Sequence, residues 1–296
     1  MPDSSENFKK CLVSNKIGKL YIVSTPIGNL GDMTFRAIET LKAVDLIAAE
    51  DTRHTRELLN HFNIDTKLTS YHEHNKYDKA EDIIGKILEG NDVAIVTDAG
   101  TPIVSDPGDE LVKNAILKNI EVTAVPGCCA AVNALVISGL SSKSFVFVGF
   151  LSDDNKTLKE QLDELKNETR TMIFYISPHD VLKNLKLLID VFGEDRIASI
   201  SREMTKIHEE TIRGTLKDIL SNFESRDIKG EFVLVVAGID KNVIKDIETK
   251  RWLELTVKEH YDKYISEGLN DKDALKKVAK DRNVDKREIY RELKIK

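Results

Sequence analysis

Cysteine is scarce: Cys11, Cys128 and Cys129 are the only ones in 296 residues, and no two stand in a C-x-x-C spacing. An odd, unpatterned count argues against a disulfide framework and against structural zinc, and for a reducing, cytoplasmic setting. No apolar run approaches the roughly 18 residues that a membrane helix needs, so no membrane span is expected. Residues 1–10 lack the apolar stretch and small-residue cleavage pattern of a secretory leader, and 1–17 are expected to form a flexible tail. Glycine, at 15 residues, is far too rare for a collagen repeat. There is no G-x-G-x-x-G, no G-x4-G-K-[ST], no H-E-x-x-H and no G-x-S-x-G. A standard dinucleotide site, a P-loop, a zinc protease site and a nucleophile elbow are all without support.

What is present is an ordinary globular mixture, 41% apolar and 32% charged, on a chain long enough for two domains. The net charge of −6 is unevenly spread: residues 241–296 carry +4 and the rest −10. A basic end on an acidic body points toward a nucleic-acid partner; the alternative is a solvated helical surface.

Short runs rich in Val, Ile and Ala at 20–24, 45–49, 93–97 and 122–124 predict strands, separated by amphipathic stretches at 35–44, 52–62, 78–89 and 109–118. Such alternation predicts a mostly parallel sheet with helices on its faces. A second series follows, with strands at 145–150, 172–175, 197–201 and 232–237 and helices at 158–165, 181–191 and 216–223. We therefore expect one α/β domain over 18–140, a second over 141–240, and a helical extension over 241–296. In that extension a helix is expected over 252–265, then two short helices, 273–280 and 286–293. Asp285 would cap the last, with Glu288 completing a box. Helix, turn and helix, with Lys286, Arg287 and Arg291 on the second, is similar to a helix-turn-helix; a hairpin that packs on the body or on a second subunit is the alternative.

Three loops sit at the carboxyl ends of predicted strands: 24–30 (STPIGNL), 97–108 (TDAGTPIVSDPG) and 125–130 (VPGCCA). Open α/β sheets bind ligands at that edge. Glycine admits close backbone approach, proline fixes loop shape, and Ala99, Gly100 and Ala130 leave room for a flat base or a ribose. Any one loop alone is only a tight turn; three on one edge predict a pocket. Two polar clusters follow strands, 49–55 (AEDTRHT) and 201–210 (SREMTKIHEE). In the first, Asp51 or Thr52 is a natural helix cap. His72 and His74 would share one face of a strand, but no third ligand is suitably spaced, so no metal is expected.

Taken together in order, 18–30, 49–53, 98–102, 105–108, 202–206 (REMTK) and 229–231 (KGE) are motifs by which the chain resembles the small-subunit rRNA branch of the tetrapyrrole methylase superfamily, over about residues 17–240. The resemblance implies two α/β domains with S-adenosylmethionine in the cleft between them. It also implies a homodimer, and 2′-O-methylation of a cytidine ribose at the decoding region of small-subunit (16S) rRNA, free or in the ribosomal subunit. By position it implies cofactor contacts from Pro26, Ala99, Gly100, Thr101, Val104, Cys129, Ala130, Ile176 and Met204. Two segments depart from the family pattern: 151–156 (LSDDNK) in place of Leu-Pro-x-Lys, and 175–180 (YISPHD) in place of Tyr-Glu-Ser-Pro-His-Arg.

A ribose hydroxyl needs a base within hydrogen-bond reach. The candidates are Glu203, Asp98 and His208, among which the sequence does not choose. Arg53, Arg202 and Lys206 are candidates for phosphate contacts, and Lys286 and Arg287 for an electrostatic grip on rRNA. Competing readings are a precorrin-type methyltransferase, a non-catalytic rRNA-binding assembly factor and, third, a phosphate-ester hydrolase using Asp98 and Asp106.

Overall fold

The computed structural model describes residues 17–294. The tail expected at 1–17, apart from Ile17, and Cys11 lie outside the described residues. The chain builds two α/β sheets and a set of C-terminal helices.

The first sheet holds β1 (Lys19–Val23), β2 (Leu46–Ala49), β3 (Leu68–Ser70), β4 (Val93–Val96) and β5 (Glu121–Val125). Its order is β3-β2-β4-β1-β5 and every pairing is parallel. Successive side chains leave a strand on opposite faces. Leu20, Ile22, Val93 and Ile95 therefore meet α3 (Lys76–Leu88) and α4 (Asp109–Leu117) on one side. Val23, Ile47, Ala94 and Val96 meet α1 (Phe35–Ala43) and α2 (Thr52–His61) on the other. Burial on both faces is why these strands read as continuous apolar runs. The helix starts are capped locally: Thr34 accepts from Ala37 N–H at 3.1 Å and Asp51 from Arg53 N–H at 2.8 Å.

The second sheet holds β6 (Phe145–Gly149), β7 (Thr171–Ile176), β8 (Ile197–Arg202), β9 (Glu210–Thr215) and β10 (Phe232–Val236) in the order β6-β7-β10-β8-β9. Only β6 and β7 run parallel; the other pairs are antiparallel. One face packs on α6 (Asn155–Leu165), α7 (Val181–Phe192) and α8 (Leu216–Phe223), around Phe174, Leu185, Leu188 and Phe223. The other face is covered by α5 (Ala130–Ser138), which follows the first sheet in sequence yet packs on β7, β8 and β10.

Four elements differ from the sequence reading. β3 and β9 were not expected; the first is three residues long and the second is largely polar. The third loop runs directly into α5, whose composition is apolar on all sides and so shows no helical period. The helix expected over 252–265 is two helices, α9 (Lys241–Leu253) and α10 (Val257–Ser266), because Thr256 and Glu259 form a capping box that starts a new helix.

α10 packs with α11 (Asp271–Asp281) and α12 (Lys286–Lys294) around Tyr264, Ala274, Val278 and Ile289. Buried Arg282 ties this group to α9: its guanidinium donates to the carbonyls of Trp252 (2.9 Å) and Leu255, and to His260 Nδ1 at 3.2 Å. Trp252 stacks flat on His260, ring centroids 4.0 Å apart. At the start of α12, Asp285 accepts from Arg287 N–H at 2.7 Å, two residues on, in place of the box expected with Glu288.

Candidate active site

The strands β4, β1 and β5 are neighbours in a parallel sheet, so the three loops that follow them emerge side by side. Hydrogen bonds stitch them together. Thr25 and Gly100 exchange backbone bonds of 2.8 and 3.2 Å, and Thr25 Oγ1 donates to Thr97 O at 3.1 Å. Ser24 Oγ and Thr101 Oγ1 lie 3.0 Å apart, and Thr101 Oγ1 donates to Cys128 O at 2.9 Å. Gly100 has φ +89° and little space at its α-carbon: a β-carbon there would come within 3.3 Å of Ile27 Cγ2.

Opposite these loops stands the edge of the second sheet. Between the two lies a cavity of 410 Å³. Its walls include Ile27, Ala99, Gly100, Thr101, Val104, Cys129 and Ala130 from the first half, and Tyr175, Ile176, Met204 and Val233 from the second. Beneath it Ile27, Ala131, Leu135, Ile173, Met204 and Val235 form one apolar cluster that joins the halves. Tyr175 Oη accepts from Ala131 N–H at 3.3 Å at the start of α5, and burial pushes its hydroxyl up to about 12.

Two of the wall residues are presented by strained backbone. Val104 stands between Ile103 (φ +77°) and Ser105 (φ +72°), and Met204 between Glu203 (φ +49°) and Thr205 (φ +67°). Left-handed backbone is costly for side chains branched at Cβ, about 1–3 kcal/mol each, and persists where surrounding structure enforces it. Thr205 also buries a hydroxyl without a hydrogen-bond partner. Glu209 braces this loop by accepting from Thr205 N–H at 2.8 Å.

The cavity has an anionic side. Glu50, Asp98 and Asp106 line it, with Glu231 at the second sheet, and no Lys or Arg does. Thr97 Oγ1 donates to Glu50 at 2.9 Å, and Asp98 Oδ1 accepts from Asp51 N–H at 3.2 Å. Burial pushes the Asp106 carboxyl up to about 6; the nearby Thr97 hydroxyl works against this, and repulsion from Glu50 and Asp98 adds to it.

Eight of the nine positions carried over for a cofactor thus face one cavity; Pro26 is buried behind the wall and its neighbour Ile27 takes the lining position. Of the three base candidates only Asp98 lines the cavity. Glu203 is bound instead to Lys206 Nζ at 2.9 Å and Glu231 N–H at 3.0 Å; burial opposes ionisation, but those partners hold its carboxyl below the ordinary range. His208 is exposed on the loop outside. Lys206 also contacts Glu231 at 3.1 Å, and its stem lies across Gly28, where a β-carbon would meet Lys206 Cγ at 2.5 Å. It works as a strut between the halves. Arg202 donates to Lys229 O at 2.7 Å, and exposed Arg53 pairs with Asp51 at 2.9 Å. Lys286 and Arg287 are exposed at the start of α12, away from these loops in sequence. His72 and His74 lie in a turn after β3, not on a strand; Asn75 Nδ2 lies 3.3 Å from His72 Nε2. Among the described residues no group of three His, Cys, Asp or Glu side chains is arranged to hold a metal ion. The residues that sequence reasoning passed over are Glu50 and Tyr175, and Asp106 outside the hydrolase reading; their signal is burial beside other charges, which no local pattern displays.

Residues 19–220 match the family of tetrapyrrole (corrin/porphyrin) methylases. The chain is 49% identical to a ribosomal RNA small subunit methyltransferase I of Halalkalibacterium halodurans, over 92% of this chain and 93% of that one. It is 47% identical to one of Bacillus subtilis, over 93% of each. Among solved structures it is similar to a uroporphyrin-III-C-methyltransferase from Thermus thermophilus (TM-score 0.55, 20% identity, 74% of this chain and 94% of that chain). A diphthine synthase aligns with TM-score 0.56 at 13% identity, over 74% and 90%. Those two likenesses concern the fold. The chain belongs to the tetrapyrrole methylase family, and is a methyltransferase of that family.

The strain around Met204 is testable. Thr205→Gly relieves the left-handed φ and removes the unpartnered hydroxyl, against the chain-entropy cost of glycine. Denaturant unfolding should show stability unchanged or raised by up to about 1 kcal/mol; a loss larger than that would show the loop to be unstrained.

Proposed function

We propose that this chain methylates the 2′-oxygen of a cytidine ribose in small-subunit (16S) rRNA at the decoding region, using S-adenosylmethionine, as a cytoplasmic homodimer. The observation that carries the reading is the interdomain cavity: apolar below, small-residue on the loop side and anionic at one wall. S-adenosylmethionine has net positive charge, so a cavity lined by Glu50, Asp98 and Asp106 without a cationic side chain fits it. Ala99, Gly100, Thr101, Val104, Cys129, Ala130, Ile176 and Met204 are the residues that would hold it. The relatives named for small-subunit rRNA support the acceptor. They match 92–93% of the chain, leaving too little outside the match to omit the basic C-terminal helices. The solved structures of similar fold span only 74%.

When bound, the cofactor supplies an electrophilic methyl group on a charged sulfur. The protein's part is positioning and proton removal. Asp106 is the carboxylate suited to accept the proton of the ribose hydroxyl: it lines the cavity, and a base with a pKa about 6 is ionised at neutral pH yet still basic. Glu203 is committed to Lys206 and Glu231 N–H. Because the base must be ionised, kcat/KM should rise about tenfold per pH unit below about 6 and level off above it.

Mapping 2′-O-methyl marks on rRNA from cells lacking this chain should reveal one missing small-subunit mark, restored by the wild-type gene. Asp106→Asn should lower transfer about 10²- to 10⁴-fold, well beyond any loss of cofactor affinity measured by calorimetry. An unaltered mark would overturn the acceptor, and an unchanged pH profile in Asp106→Asn would overturn the base.

Gly100→Val should fold but lose cofactor affinity by more than about tenfold in calorimetry, since valine at φ +89° intrudes between Ile27 and Cys128. Unchanged affinity would remove the cavity as the cofactor site.

The dimer is supported by α5. Its only polar residues are Asn133 and Ser138, yet Val132 and Val136, four apart on one face, are 45% and 72% exposed. Val136→Asp should shift the protein from dimer to monomer in sedimentation; a dimer that persists would place the interface elsewhere.

A further inference from the structure

A second cavity, of 240 Å³, adjoins the first and shares Phe150 and Ser177 with it. It lies between the start of α6 and the start of α7, and nothing in the proposed cofactor site uses it. Three features mark it as built for a ligand. Asn184, on α7, lines it and is only 7% exposed, yet its carboxamide makes no hydrogen bond to any described residue. Two donors and an acceptor on a largely buried side chain are thus free to bond whatever enters the cavity. Asp180 and Lys183 stand on the same helical face as Asn184, by their spacing of three and four residues. Phe150, 54% exposed where the two cavities meet, is braced edge-on by Tyr175 with ring centroids 5.6 Å apart.

The charge in this cavity selects among ligands. Asp153 and Asp180 face one cation, Lys183, which lies 3.8 Å from Asp180 Oδ1. The net charge is negative, so a phosphate is disfavoured. Asp180 Oδ2 already accepts from Ser177 Oγ at 2.6 Å; the exposed Asp153 carboxylate forms no ion pair. A carboxylate that accepts, an amide that donates and accepts, and an aromatic face at the entrance match one chemistry: the edge of a nucleobase carrying an exocyclic amino group.

We propose that this cavity takes the base of the acceptor nucleotide, turned out of its strand. Phe150 stacks on the base, Asp153 accepts from the cytosine amino group, and Asn184 bonds the ring nitrogen and carbonyl. The proposal rests on the rRNA reading above and adds to it the residues that choose the base. Uracil presents an acceptor oxygen where cytosine presents the amino group, so Asp153 would repel it. The shared wall at Phe150 and Ser177 puts the ribose of a base held here toward the first cavity, where the transfer takes place.

The test uses the full chain, small ribosomal subunits from cells lacking it, and tritiated cofactor. Asp153→Ala, at an exposed position, and Asn184→Leu, which fills the same volume without polar atoms, should keep cofactor affinity within about twofold by calorimetry. Both should lose about 10- to 100-fold in kcat/KM for the subunits, the size of one good base contact. Subunits carrying uridine at the methylated position should be poorer substrates for wild type by a similar factor, and Asp153→Asn should narrow that gap. Should Asn184→Leu fail to fold, Asp153→Ala and the uridine substrate still decide. Transfer unchanged in Asp153→Ala, weakened cofactor binding in either variant, or equal transfer to cytidine and uridine would overturn the subsite while leaving the rRNA reading in place. No transfer by the wild type to any subunit would overturn the rRNA reading, and the subsite with it.

Discussion

The site depends on the packing of α5. This helix leaves the first sheet at Ala130 and buries Ala131, Ala134 and Leu135 against Ile173, Val233 and Val235 of the second, with Ile27 and Met204 closing the group from the two facing loops. Burying a large apolar side chain contributes about 1.5–3 kcal/mol, so this cluster is a substantial bond between halves that otherwise have separate cores. Remove it and each half keeps its own sheet, but the loops that line the cavity no longer face each other. Lys206 adds a polar strut above, crossing Gly28 to reach Glu203 and Glu231.

That firm seam explains how the loops tolerate their backbone. Val104 and Met204 come from opposite halves, and each is thrust forward between two left-handed residues, none of them glycine. Strain of about 1–3 kcal/mol per residue needs something to enforce it. Here it is enforced by the Thr25–Gly100 bridge and the Ser24–Thr101–Cys128 hydrogen bonds on one side, and by Glu209 on Thr205 N–H on the other. Glycine at those positions would make the loops easier to form and the two apolar tips less fixed. Rigid placement of a flat ligand between them is the benefit that matches the cost.

The same physics divides what the sequence reveals from what it conceals. β1, β4 and the first α/β alternation are legible because strands covered on both faces carry unbroken Val, Ile and Ala. The three Gly- and Pro-bearing loops are legible because turn chemistry is local. α5 is hidden: it touches apolar neighbours on several sides, so AAVNALVIS has no polar stripe to betray a helix. β9 is hidden because ETIRGT is an edge strand with a wet face. Asp106 reads as one more aspartate in a loop; its raised carboxyl arises from burial near Asp98 of the same loop and Glu50, which follows a different strand. Asn184 sits in a plain amphipathic helix, and only the cavity beside it makes its idle amide visible.

Electrostatics then separates the tasks by region. The acidic walls that suit a cationic cofactor would repel an RNA backbone, and residues outside 241–296 carry a net −10. Screening limits each field to about 8 Å at physiological salt, so a basic patch can attract phosphate only where it stands apart from those walls. The C-terminal helices have their own core, a net +4, and exposed Lys286 and Arg287 at one helix start. Arg282 spends its charge inside, on the Trp252 and Leu255 carbonyls and His260, fixing α9 to the helices beyond it. A loosely tethered basic segment would attract RNA equally well but could not orient it. A packed one, held together by a buried arginine, presents its basic side chains in a fixed arrangement.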